Sequence, residues 1–464
     1  MGLANRHLVL ALLLLVHSPG AGSAQTRGPV RVNGGRLLAN LESLSRIGRT
    51  PGGGNARVAF SEADREARRY VIGLMEAAGL AVSIDAAGNI LARREGTNPD
   101  LPPLMLGSHI DSVPDGGHYD GQLGSLGAIE ALQTLADRGI TTRHPIVVVI
   151  FQNEEGGKTG SRVMSGVFRP EELDLVSHSG RTIREGIAFS GGDPERLASA
   201  QLGPGDVAGF LELHIEQGAV LEQAGTTIGV VTGIVGIRRW NVTVEGMANH
   251  AGTTPMHARR DALLAAARFI QAVNEVVRGM EGDQVGTVGM IQASPGAPNV
   301  IPGRVTMSLE LRDLDMEKIE RVYRAIGTRA QEIAEESATA IQLDEYYLSR
   351  SAPTDERVMQ CIEEAAAGLG LSSRRMPSGA GHDAQSIAPL APTGMIFIPS
   401  IGGISHSPDE RSRPEDIIAG VDVLLNALLM LDAFQEADFS PRSSSPRGEL
   451  RLPHPFRLPV CSCP

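Results

Sequence analysis

Cysteine is nearly absent from this chain, with three in 464 residues. That excludes a disulfide scaffold. Cys361 falls in a helical pattern and reads as a small buried apolar residue, while Cys461 and Cys463 form a lone C-x-C in the terminal tail. Aromatic residues are also scarce, at 3%, so stacking platforms for bases or sugars are not expected. Recognition should rest instead on charges, amides and backbone. Positive charge is in deficit: the formal net charge of −12 argues against nucleic acid as a partner. Long apolar runs are missing as well. The run Leu8–Val16 is too short to span a bilayer, and no later segment is long enough.

That short run has another use. Arg6 and His7 precede it, and Ala21–Ala24 offers small residues before Gln25. Residues 1–24 therefore predict a secretory signal peptide and an exported, periplasmic or secreted protein; an uncleaved anchor is the other reading. With 42% hydrophobic and 21% charged residues, the remainder describes a globular protein long enough for two or three domains.

After the signal, Leu37, Leu38, Leu41, Leu44 and Ile47 share a helical face, and Ser61 with Asp64 caps a second helix ended by Gly79. Val82–Ile84 and Ile90–Ala92 read as a hairpin, Leu104–Leu106 as a short strand, and Ile146–Phe151 and Phe210–His214 as buried strands. Strands alternating with helices predict an α/β fold, a mostly parallel sheet with helices on both faces. Between 236 and 350 the order changes to β-α-β-β-α-β: strands at Arg239–Val244, Gln284–Ile291, Val305–Leu311 and Ala340–Tyr347, helices at Asp261–Arg278 and Met316–Glu336. This predicts an inserted ferredoxin-like lid or dimerisation domain. The catalytic domain is then expected in two parts, 29–235 and 351–436. The second part holds a helix at Asp355–Ala367, a strand at Met395–Ile398 and a helix from Pro414 to about Phe434. The Pro-, Ser- and Arg-rich tail 437–464 is expected to be disordered.

Chemistry concentrates at strand ends. The loop after Leu106 carries His109, Asp111, Asp115, His118 and Asp120; Ile146–Phe151 empties into Glu154 and Glu155; Phe210–His214 delivers His214; and His406 sits in a Gly-rich loop. Parallel strands put their carboxyl ends on one rim, so these groups can converge. Three His, a Glu and a shared Asp would hold two divalent ions bridged by a water, and a neighbouring unbound Glu could take that water's proton.

The segments GSHIDSVPDGGHYDGQLG, NEEGG, ELHIEQG, GMANHAGTTPMHARRD, GAPNVIPG, LRDLD, GAGHDA and PSIGGISHSPDE resemble, in order, those of the two-domain metallopeptidase-like amidohydrolases of the hydantoinase/carbamoylase family. These include N-carbamoyl-L-amino acid hydrolases, allantoate amidohydrolases and β-ureidopropionases. The resemblance implies that His109, Asp120 and His214 bind one metal, and that Asp120 bridges to a second completed by Glu155 and His406. It implies Glu154 as general base and Asp111 as the acid orienting His109. It implies substrate contacts from Gln217 and Gly381, and from the inserted domain His250, Asn299 and Arg312, commonly across a homodimer. Two divalent ions per subunit are expected, zinc foremost, with manganese, cobalt or nickel also compatible with the ligands. The implied substrate is a small ureido or amide compound with a carboxylate, an N-carbamoyl-L-amino acid first. Allantoate or, for an exported enzyme, a dipeptide are the alternatives, and a catalytically dead binding ectodomain is the non-enzymatic one. The chain departs from the family after Glu155, where Gly156-Gly157-Lys158-Thr159-Gly160-Ser161 replaces a longer connection with an Arg-Phe pair. That change bears on the pocket wall.

Other polar residues have plainer readings. His118 reads as a solvated loop residue, His257 as a helix-start residue, and His144 and His178 as surface. His382 is either a site contact or a structural hydrogen-bonder. Arg312 has an alternative use in pairing with Asp313 or Asp315.

Overall fold

The computed structural model describes residues 28–434. The expected signal peptide and the whole of the expected disordered tail, with Cys461 and Cys463, lie outside the described residues. Among those described, no helix is long and apolar enough to cross a membrane.

Helix α1 (Gly34–Ser45) buries Leu37, Leu41 and Leu44. Helix α2 (Glu62–Ala77) starts at Ser61, whose hydroxyl accepts the Asp64 N–H, the cap its sequence predicts. A nine-stranded sheet follows. Its first strands are β1 (Ala81–Ile84), β2 (Ile90–Arg94) and β3 (Leu104–His109), then β4 (Ile146–Phe151), β5 (Gly209–Ile215) and β6 (Ile228–Ile234). Helix α3 (Gln122–Asp137) crosses from β3 to β4. The second sheet contains β7 (Gly236–Glu245), while β8 (Asn249–His250) belongs to a small two-stranded ladder. Helix α4 (Ala262–Gly279) leads to β9 (Val285–Thr287), β10 (Ile291–Ser294), β11 (Val300–Ile301) and β12 (Arg304–Asp313). Helix α5 (Met316–Ser337) precedes β13 (Ala340–Ser349). The chain then returns to the first sheet through β14 (Ala352–Pro353), α6 (Glu356–Gly368), β15 (Ser373–Ser378), β16 (Thr393–Ile398) and α7 (Pro414–Asp432).

The first sheet runs β1-β2-β4-β3-β5-β16-β6-β14, with β15 beside β6. Its centre, β4-β3-β5-β16, is parallel. Alternate residues serve opposite cores: Leu104, Leu106, Ile146, Val148 and Ile150 pack under α1, α3, α6 and α7, whereas Met105, Val149, Phe151 and Phe210 pack on the other side. Burial on both faces explains why these strands read as continuous apolar runs. Both β6, interrupted by Gly229 and Gly233, and β15, which contains Arg374, Arg375 and Pro377, escaped the apolar-run reading.

The second sheet is antiparallel, β10-β12-β7-β13 with β9 also on β12. It has its own core, where Trp240 stacks on Tyr323 with ring centroids 4.7 Å apart. The single strand expected at Gln284–Ile291 is broken around Gly289 into β9 and β10, which pair with different stretches of β12.

Candidate metal centre

The carboxyl ends of β3, β4 and β5 open onto one rim. His109 is the last residue of β3, Glu154 and Glu155 follow β4 closely, and His214 is next to last in β5. Asp120 leads into α3 through Gly121. There φ is +73° and a Cβ would lie 2.3 Å from the His109 ring, so only glycine fits. Three non-glycine residues at the rim, Asn153, Gln217 and His406, hold left-handed backbone angles (φ 57°, 59° and 54°). Strain of that kind persists only where the surroundings enforce it.

The side chains converge on Asp120. Its Oδ1 lies 3.1 Å from His214 Nε2 and 3.5 Å from His109 Nε2, and its Oδ2 lies 3.2 Å from His406 Nε2. His406 Nε2 is also 3.6 Å from Glu155. Donor atoms of His109, Asp120 and His214 lie within 4.8 Å of one another, and so do those of Asp120, Glu155 and His406. Glu154 Oε2 is 3.9 Å from His109 Nε2.

The hydrogen bonds fix the two buried imidazoles. His109 Nδ1 meets the Asp111 carbonyl at 3.1 Å and His214 Nδ1 meets the Ile215 carbonyl at 2.8 Å. A carbonyl only accepts, so each ring carries a proton on Nδ1 and turns Nε2 towards Asp120. His214 Nε2 accepts the Gly121 N–H at 3.2 Å, in keeping with that form. A ring nitrogen facing a carboxylate needs a cation between them, a proton or a metal ion. Burial opposes charge on His109, but Asp120, Glu154 and Asp111 outweigh it and hold the ring well above its ordinary pKa. On the other lobe, Gln217 Nε2 donates to Asp120 Oδ2 at 2.7 Å, while its Oε1 is buried without a partner. The donor set, nitrogen and oxygen only with one shared carboxylate, fits a pair of divalent cations.

Burial pushes Glu154 up to about 6, against the charges of His109 and Lys158. Asp111 meets the His109 ring twice, with its carbonyl 3.1 Å and its carboxylate 3.7 Å from Nδ1. The carboxylate also accepts the backbone N–H groups of Glu154 and Glu155 at 3.3 and 3.1 Å.

His250, Asn299 and Arg312 stand apart. Among the described residues none of them forms a hydrogen bond or ion pair with the cluster. His250 and Asn299 are neighbours through the β8–β11 ladder, where Asn299 accepts the Ala251 N–H. His250 Nδ1 accepts the N–H groups of Gly252 and Thr253, leaving Nε2–H to donate outward. Arg312 pairs with Glu310 at 2.7 Å, not with Asp313 or Asp315, and donates to the Gly379 carbonyl at 2.7 Å. His144 is buried against the Pro102 carbonyl rather than exposed, and His118 is half-buried with Nε2 2.9 Å from the Gly53 carbonyl. His178 and His257 are exposed. His382 is buried, bonds Ser378 Oγ and sets its ring edge-on to His214, 4.5 Å between centroids. Burial keeps it neutral.

Some supports were not anticipated. Glu410, fully buried, accepts the N–H groups of Tyr119 and Asp120 and the Ser405 hydroxyl. Glu212 accepts from Ser108 and from the Ala384 N–H. The signal available for both was a carboxylate inside a motif otherwise assigned to its histidine.

A mostly parallel sheet that gathers three imidazoles around one shared aspartate at its carboxyl rim, with a spare glutamate alongside, defines a hydrolase. Residues 105–430 match the model of peptidase family M20/M25/M40. The chain is 44% identical over 407 residues to an N-carbamoyl-L-amino acid amidohydrolase of Geobacillus stearothermophilus, covering 86% of this chain and 99% of that one. It is 36% identical over 398 residues to an allantoate amidohydrolase of Escherichia coli, covering 84% and 96%. A crystal structure of a hydantoinase/carbamoylase family amidase from Burkholderia multivorans superposes with a TM-score of 0.80 at 38% identity, covering 87% and 98%. The chain belongs to peptidase family M20/M25/M40, among the amidohydrolases that act on carbon–nitrogen bonds other than peptide bonds.

Proposed function

We propose that this protein hydrolyses N-carbamoyl-L-amino acids to the L-amino acid, ammonia and carbon dioxide, using two divalent metal ions. The observation that carries this reading is the Asp120 carboxylate shared between two donor triads, with Glu154 alongside. His109, His214 and Asp120 would hold one ion; Asp120, Glu155 and His406 the other. Zinc suits the ligands best, and manganese, cobalt or nickel are compatible. When bound, the metals lower the pKa of water towards about 7 and polarise the carbonyl under attack.

The rest is the work of the chain's own groups. Glu154 takes the proton from the attacking water and returns it to the leaving nitrogen. Its elevated pKa, about 6, suits both transfers. His250 Nε2–H and the Asn299 amide donate to the developing oxyanion, and Arg312 clasps the substrate carboxylate. Among the described residues those three groups form no hydrogen bond or ion pair with the cluster of their own chain, which favours a homodimer in which a second copy supplies them. The apolar run at residues 8–16 would export the enzyme. The identity to an allantoate amidohydrolase supports allantoate as the second reading.

The test is ammonia release by purified protein loaded with zinc, manganese, cobalt or nickel, screened over N-carbamoyl-L-amino acids, allantoate and dipeptides. Turnover of N-carbamoyl-L-amino acids that a chelator abolishes and metal restores is the expected result. Turnover of dipeptides alone, or undiminished turnover without metal, would refute it.

A further inference from the structure

The chain uses arginine for nearly all its positive charge and contains only two lysines, Lys158 and Lys318. Lys318 lies 3.2 Å from Asp313 in an ordinary ion pair. Lys158 is different. It is 8% exposed and holds a left-handed backbone, φ 58°, at the start of the Thr159–Met164 helix. Its Nζ donates to the Gln385 Oε1 amide oxygen. Among the described residues no carboxylate lies within salt-bridge distance of it.

A buried ammonium held by one neutral oxygen is an uncompensated charge, and such charges are costly unless an anion arrives. Lys158 sits where one would arrive. A Cβ placed on Gly381 would stand 3.1 Å from Lys158 Nζ, so the absent side chain keeps the ammonium accessible from the Gly379–Gly381 loop. Arg312 reaches the same loop at the Gly379 carbonyl. Arg312, which pairs with Glu310, would share the substrate carboxylate with Lys158. The Lys158 N–H donates to the Glu154 carbonyl at 2.9 Å, which ties the lysine to the turn that carries both glutamates. Gln385 is anchored independently, its amide nitrogen donating to the Val235 and Arg350 carbonyls, so it can release the ammonium without moving.

We propose that Lys158 is a specificity-determining residue: its ammonium exchanges the Gln385 oxygen for the carboxylate of the substrate and selects acids over their neutral amides. The assignment rests on the ureido-hydrolase reading for its substrate, and on the Lys158–Gln385–Gly381 geometry for its mechanism. It gives a function to the shortened Gly157–Ser161 connection, which brings this lysine into the wall.

The experiment compares N-carbamoyl-L-alanine with N-carbamoyl-L-alaninamide on metal-loaded enzyme. Lys158→Gln should raise the Michaelis constant for the acid by about tenfold or more, the size of a lost charge-assisted hydrogen bond. Its effect on kcat should be smaller, and the preference for acid over amide should fall by the same factor. Lys158→Arg should restore much of that preference. An unchanged preference in Lys158→Gln would overturn the assignment. A direct measurement does not depend on the variant folding. In wild-type holoenzyme labelled with 13C-lysine, Lys158 and Lys318 give two sets of side-chain signals. Titration with L-alanine, the carboxylate product, should shift the Lys158 ε-methylene, and L-alaninamide should not; equal or absent responses would overturn it. Wild-type enzyme that turns over neither ureido compound would refute the ureido reading, while the two titrations still decide whether Lys158 binds carboxylate.

Discussion

The Asp111 carboxylate accepts the backbone N–H of Glu155 at 3.1 Å, tying the end of β3 to the turn after β4. Because it also takes the Glu154 N–H, one side chain sets the backbone from which both glutamates project. Asp111→Ala should therefore lower kcat by about 10- to 100-fold, the range for groups that orient metal ligands. It should also lower metal content, measured by elemental analysis. Full activity with full metal content would show that the turn holds itself.

Glu154 stands near the donors without completing either triad. Glu154→Gln keeps its size and removes its basicity. The expected result is a fall in kcat of about 10²- to 10⁴-fold with metal content unchanged. A parallel loss of metal would make Glu154 a ligand instead.

Glu410 satisfies two buried N–H groups and a hydroxyl around Asp120. Glu410→Ala leaves those donors without their acceptor, at about 1–3 kcal/mol each. Urea unfolding should report a loss of at least about 2 kcal/mol, accompanied by weaker metal binding. A loss well below that would mean water replaces the carboxylate.

Cys361 is buried in α6, and burial pushes its thiol pKa up to about 12. The thiolate is the reactive form. In a Cys461→Ser, Cys463→Ser background, a thiol reagent at pH 8 should not titrate Cys361 in the native protein, and should titrate it fully in denaturant. Prompt native labelling would reveal local opening of α6.

Much of this arrangement was legible because buried parallel strands are written as unbroken apolar runs. A polar residue at the end of such a run has one place to go, the rim. His109, Glu155 and His214 were readable on that ground. His406 and Asp120 belong to loops with no periodicity of their own; they too stand out as polar groups after strands, and motif resemblance supplied their roles. What stayed hidden were residues whose burial has no pattern. Glu410 and Glu212 look like charges that water would solvate, yet each is fixed by backbone or hydroxyl donors from distant segments. His144 reads as surface because its neighbours are polar, but the Pro102 carbonyl 42 positions away receives it. For Asp111, two-residue spacing points to His109 and cannot reveal the further bond to a turn 43 residues on.

The path between the sheets has one more implication. Strand β14 lies antiparallel beside β6, with Ala352 opposite Ile234, so the chain departs for the second sheet and comes back through adjoining positions. Residues 236–350 are in that sense a side branch grafted at a single point. A short turn from Ile234 to Ala352 would excise the branch without crossing any strand of the parent sheet, leaving His109, Asp120, Glu155, His214 and His406 together on the trunk.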